Sequence, residues 1–218
     1  MLADNLVQTG GIVAIPLLVF SLITVVLIIE RSWFWFRLKS KEKFLVKQVL
    51  TVYRSNSIDA IAKLKKNADL PIARIFLEAL LLPEANATEF RLALETATQA
   101  ELPLLKKFNT FFQTVITIAP LLGLMGTILG LIKSFGSLEL GSVTGSDAAG
   151  VTGGISEALI STVLGLIVAI TTLMFANLFR SFYIRHIALI QEQAGQLELL
   201  YRRLYEKKEG SYANTRGE

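Results

Sequence analysis

The sequence predicts an all-α integral membrane protein: three transmembrane helices with long cytoplasmic helical extensions. Three observations predict it. Residues 10–29, 108–132 and 158–179 carry no charge for 20, 25 and 22 positions. Each run reaches the roughly 20 residues that a helix needs to cross a hydrocarbon core of roughly 30 Å. The chain is 52% hydrophobic with a mean hydropathy of +0.52, more apolar than a soluble domain of this length. Its cations are segregated: 14 of 22 Lys and Arg fall between Glu30 and Lys107, seven from Arg180 onward, and one, Lys133, lies between the second and third runs.

The first run is a spanning helix over 10–29, not a secretory signal. Residues 1–9 hold no Lys or Arg, and Glu30-Arg31-Ser32-Trp33 follows where small residues would mark a cleavage site. Trp33 to Phe36 are all aromatic and fit an interfacial belt. Lys and Arg near span ends mark the cytoplasmic side. Residues 1–9 therefore face out, 30–107 lie inside, 133–154 face out, and the tail from 180 lies inside. The basic clusters are accounted for by topology and by anionic lipid, and nucleic acid is not a predicted partner.

Residues 30–107 read as several short helices. Ser57 reads as an N-cap with Asp59 in the first turn. Pro71 opens the next helix, and Asn86 with Glu89 forms a capping box. From there a helical pattern runs toward the membrane, bent or interrupted at Pro103, and continues as the second span, 108–132. Residues 133–154, rich in Gly, Ser and Thr, read as a short linker with no core of its own. The third span occupies 155–179. Its extension, 180–209, carries Tyr183, Ile187, Ile190, Ala194, Leu197, Tyr201 and Leu204 at heptad-like spacing. That spacing suits either a seam that packs on the other cytoplasmic helices or on a second copy, or an ordinary amphipathic helix. Residues 210–218 read as a disordered tail.

Within the spans, Gly126 and Gly130 form a small-xxx-small pair that suits close helix packing. Gln113, Thr117 and Thr127 lie near one stripe of the second span. On the third, Ala158, Thr162, Gly165, Ala169 and Thr172 share a face at spacings of four, three, four and three. Glu157 stands at the outer mouth of that helix, about 140° from Thr162. A carboxylate there is costly unless it has a role. A threonine in a spanning helix often bonds only to a carbonyl one turn earlier. Two threonine-bearing small faces and a terminal glutamate also suit a wet seam that passes protons or cations, with the titrating group brought by a partner helix.

Other functions fit poorly. The chain has no cysteine and one histidine, His186, which reads as a solvated or packed residue. No metal cluster, nucleophile–base set or phosphate loop is legible, so neither an enzyme nor a cofactor is predicted. No inverted repeat or broken-helix pair marks a small-molecule transporter. A non-conducting membrane scaffold is the competing reading.

The stretch Ala119 to Gly130, with Ile155-Ser156-Glu157-Ala158-Leu159 and Gly165-Leu166-Ile167-Val168-Ala169-Ile170, resembles the MotA/TolQ/ExbB proton-channel family. Glu30-Arg31 after the first span and the three-span order are similar too. The resemblance implies an inner-membrane homo-oligomer, a pentamer, around the single-span helices of ExbD- or TolR-like partners, which bring the titrating aspartate. It implies that Thr127 and Thr162 line a proton path and that Glu157 is the family's helix-mouth glutamate. It also implies a TonB- or TolA-like partner, periplasmic residues 1–9 and 133–154, and a cytoplasmic C-terminus. Three spans are closer to the ExbB and TolQ branches than to MotA, which has four; of the two, ExbB is preferred. Thr171 stands where the family often has proline, which removes a kink and adds a hydroxyl. Asn177 matches an Asn seen near the end of that span.

Overall fold

The computed structural model describes the backbone of residues 12–139 and 145–215, with side chains for 12–136 and 151–207. Six helices follow in order: α1 Ala14–Tyr53, α2 Ser57–Lys66, α3 Pro71–Leu80, α4 Ala87–Leu105, α5 Asn109–Glu139 and α6 Gly145–Thr215. No strand occurs among the described residues. Three helical stretches, in α1, within 87–136 and in α6, are long and apolar enough to cross a membrane. The α1 helix has 40 residues. At 1.5 Å per residue it is about 60 Å long, twice a hydrocarbon core.

The chain divides into two units, an apolar one of Met1–Arg31 with Phe108–Arg180, and a polar one of Ser32–Lys107 with Ser181–Glu218. In the apolar unit, Val13 and Leu17 of the first span region pack with Val115 and Ala119 of α5 and Ala169 of α6. Phe20, Phe111, Leu122, Leu164 and Val168 enclose that cluster. Outward residues such as Leu22, Leu124, Ile128 and Ile167 remain exposed, as helices that meet lipid require.

The polar unit has a conventional core of Val49, Leu64, Ile72, Ile75, Phe76, Phe90, Ile190 and Leu197, all fully buried. Arg74 of α3 grips Glu101 of α4 through two hydrogen bonds of 2.6 Å. Tyr201 of α6 stacks on Phe90 at 3.9 Å and donates its hydroxyl to the Ala85 carbonyl at 2.6 Å. The heptad-like seam therefore packs within the chain; Leu204, its last member, stays exposed.

Several local expectations shift. The N-cap of α2 is Asn56, whose side chain accepts from the Ile58 N–H; Ser57 is the first helical residue. Asn has the longer reach to the N2 amide and caps at least as well. Asn86 and Glu89 form both bonds of the capping box, and Pro71 opens α3. Pro103 lies inside α4, and the interruption comes later, at Lys106–Phe108. A proline forfeits one backbone bond, which a helix survives as a bend. Phe108 instead has φ 67°, a left-handed conformation that no α-helix contains. The Arg31 guanidinium stands 5.4 Å over the Phe108 ring and helps hold it there.

The outward linker, expected over 133–154, is mostly helical. The α5 helix continues to Glu139 and α6 begins at Gly145. Ser134 contributes to this by pointing its one hydroxyl at both the Gly130 and Val151 carbonyls, 3.0 and 3.2 Å away, which brings the two helix ends together. Residues 140–144 lie outside the described residues, as does the N-terminal segment 1–9. The tail expected to be disordered over 210–218 is helical to Thr215, since propagating an existing helix costs far less than nucleating one; residues 216–218 lie outside the described residues.

Candidate functional site

The α5 and α6 helices cross with almost no side chain between them. Small residues recur on α5 at Ala119, Gly123, Gly126, Gly130 and Ser134, and on α6 at Gly154, Ala158, Ser161, Gly165 and Ala169. A Cβ placed on Gly126 would meet the Ser161 side chain, with its Cβ only 2.6 Å away. One on Gly165 would lie 2.6 Å from the Ala119 carbonyl oxygen, and one on Gly130 would lie 2.8 Å from that of Gly154. The contacts rise along one helix as they fall along the other, so the pair is antiparallel. Gly126, Gly130 and Gly165 all lie at this crossing.

Hydroxyls lace the seam. Ser161 is fully buried and points its hydroxyl at the Ala158 and Gly123 carbonyls, 2.7 and 3.2 Å away. Thr162 donates across the interface to the same Gly123 carbonyl at 3.3 Å. Thr172, also buried, donates to Val168 at 2.6 Å. Thr127 donates to Leu124 one turn back at 2.6 Å, and Thr117 bonds to Gln113 at 3.0 Å. Such local bonds let a hydroxyl sit in an apolar helix without an orphan donor. Each hydroxyl oxygen keeps lone-pair capacity to accept from another donor.

Thr127 follows the buried contact Gly126 by one residue, and Thr162 follows Ser161 by one. In an antiparallel pair, one step past the contact emerges on the same edge from both helices. Both threonines are half-buried on that edge, and no hydrogen bond joins them among the described residues. Glu157 sits at the far end of the seam. Its carboxylate accepts from Lys133 Nζ of α5 at 2.9 Å. The Glu157 side chain is only 20% exposed while that of Lys133 is 71% exposed, so the lysine reaches in to the acid.

The expected stripe of α6 is rotated slightly. Ala158, Gly165, Ala169 and Thr172 are buried, but Ser161, not Thr162, fills the centre of their face. Both satisfy a 3–4 spacing from Ala158 and Gly165, and the smaller residue takes the position facing Gly126. Lys133 was also missed as a partner. Its signal was present, because it and Glu157 are the nearest opposite charges bordering the two runs. The sole histidine is packed, not solvated: His186 lies buried beside Glu42 in the polar unit.

Residues 67–192 match the MotA/TolQ/ExbB proton channel family. The Synechocystis sp. protein ExbB-like 3 is 66% identical over 210 residues, 96% of this chain and 100% of that relative. ExbB-like 1 of the same organism is 34% identical over 197 residues, 90% of this chain and 78% of the relative. The biopolymer transport protein ExbB of Salmonella typhimurium is 33% identical over 95 residues, 44% of this chain and 38% of the relative. The matched region contains α3, α4, α5 and the α6 seam, and the chain belongs to the MotA/TolQ/ExbB proton channel family.

Proposed function

We propose that this chain is a proton-channel and stator subunit of an inner-membrane energy-transducing complex. It couples proton-motive force to a TonB-like partner for outer-membrane uptake. The observation that carries the reading is the hydroxyl edge of the α5–α6 pair. Thr127 and Thr162 each follow the close Gly126–Ser161 contact by one residue and leave oxygen lone pairs available on one edge. Copies of the chain assemble with that edge turned inward, around the single-span helix of an ExbD-like partner. A carboxyl on that helix takes a proton from outside and releases it inside. The threonine oxygens accept hydrogen bonds from the protonated acid and stabilise it away from bulk water. Protonation then shifts the population of partner positions, which performs work.

Glu157 and Lys133 stand at the mouth of this path. Their ion pair keeps a carboxylate at the membrane edge at modest cost, and the polar unit faces the cytoplasm. Relatives named ExbB support the TonB-type branch over the Tol-type branch. The test is proton uptake by liposomes holding this chain together with its single-span partner. Flux requiring both chains supports the reading. Assembly of the complex without flux makes the chain a non-conducting scaffold.

A further inference from the structure

The polar unit buries an acid and an imidazole against each other, far in sequence from the seam. Glu42 of α1 and His186 of α6 have side chains only 8% and 9% exposed, and Glu42 Oε2 approaches His186 Nε2 to 3.3 Å. The other carboxyl oxygen, Oε1, accepts from the Ile72 N–H of α3 at 3.4 Å. Trp35 packs edge-on against the imidazole, with ring centroids 5.6 Å apart. His186 Nε2 makes no aligned hydrogen bond among the described residues. The other charges facing Glu42 are Arg74 of α3 and Glu101 of α4, and these two are committed to one another. Lys41 and Lys43 on α1 and Arg185 on α6 are exposed. Among the described residues the buried acid therefore has no Lys or Arg ion pair of its own.

We propose that Glu42 and His186 form a single-proton site in which one proton, held between Glu42 Oε2 and His186 Nε2, keeps α1 packed on α6. Burial pushes Glu42 up to about 7, with Glu101 adding to the rise and the Ile72 N–H and Arg74 opposing it. Burial pushes His186 down to about 4. The two shifts agree, because a neutral carboxyl exerts no pull on the ring despite the short approach. The proton rests on Glu42, whose O–H is the donor that Nε2 lacks. As pH rises through the Glu42 midpoint, that proton leaves to water. A buried carboxylate then faces the lone pair of Nε2, and the packing loosens. Nothing in this site depends on whether the chain conducts protons.

His186 is the one histidine of the chain, so 15N-histidine labelling of the whole protein in nanodiscs reports this ring alone. The expected result is a ring that stays neutral to below about pH 5 while the Nε2 resonance steps with a midpoint near 7. The step disappears in Glu42→Gln. Trp33→Phe leaves Trp35 as the one tryptophan, and its emission should move to the red through the same midpoint, but not with Glu42→Gln added. An ordinary imidazole titration near pH 6.5, a flat Nε2 resonance, or identical curves with and without Glu42→Gln overturns the proposal. If Glu42→Gln fails to fold, the titration of the unaltered chain decides: a neutral ring with a step near 7 supports the site, and either of the first two results removes it.

Discussion

Glu157 of α6 accepts a 2.9 Å charge-assisted hydrogen bond from Lys133 of α5, and this pair joins the charge that follows the uncharged run 108–132 to the one that precedes the run 158–179. Replacing Glu157 with Ala should impair energy-dependent transport more than Glu157→Gln, which keeps a hydrogen-bond acceptor for Lys133. Equal full activity of both variants would make Glu157 a packing residue. In a thermal-stability cycle, Lys133→Met with Glu157→Ala should show a coupling of about 0.2–1 kcal/mol, the range measured for solvent-exposed ion pairs.

Crowding at the seam predicts an asymmetric response to added methyl groups. Gly126→Ala pushes a Cβ into the Ser161 side chain and should destabilise the protein by about 1–3 kcal/mol. Adding Ser161→Gly should recover most of that loss. Gly195→Ala, with nothing within 4 Å of the new atom, should be neutral or stabilising by up to about 1 kcal/mol. Equal effects at the two glycines, measured by thermal unfolding in detergent, would contradict the packing.

The threonine edge is tested by size and polarity separately. Thr162→Leu and Thr127→Leu should each abolish proton flux in liposomes while the oligomer still forms. Thr162→Ser, which keeps the hydroxyl, should retain most of it. Full flux in both leucine variants would remove the two residues from the path.

Arg74 should matter for the polar unit chiefly because of what its loss leaves behind. Glu101 is buried, and its two 2.6 Å bonds go to Arg74. Arg74→Met strands that carboxylate and should cost about 3 kcal/mol, the lower end for breaking a buried pair. The double variant with Glu101→Leu should be much closer to the unaltered chain. Chemical denaturation followed by circular dichroism separates the two.

Stability should depend on pH with a maximum at mildly acidic values. Glu42 is raised from 4.5 to about 7, so its contribution is fully present below about 4.5 and lost as pH climbs through 7. His186 is lowered from 6.5 to about 4, so its contribution is present above 6.5 and lost as pH falls through 4. The two slopes cancel between about 4.5 and 6.5, leaving a plateau of highest stability that falls away toward acid and toward alkali. Thermal midpoints measured from pH 4 to 9 check this, and Glu42→Gln should flatten the alkaline limb.

The helical class was legible because uncharged runs of 20 or more residues leave the backbone few alternatives in a membrane. The capping box at Asn86 and the start at Pro71 were legible for local reasons, since their partners lie within four residues. Less could be read where the deciding contact is distant. The rotation that buries Ser161 in place of Thr162 follows from Gly126, 35 positions earlier in the chain. The break at Phe108 depends on a strained backbone that Arg31 helps support, a pairing no periodicity encodes. The burial of His186 required knowing which face of α1 would meet α6.

With no room for even one methyl group at Gly126 or Gly165, α5 and α6 cannot slide or roll against each other without a steric collision. They form a single stave. A stroke of the kind proposed above would carry the two together, and its give would lie at the margins of the stave, where the larger side chains begin.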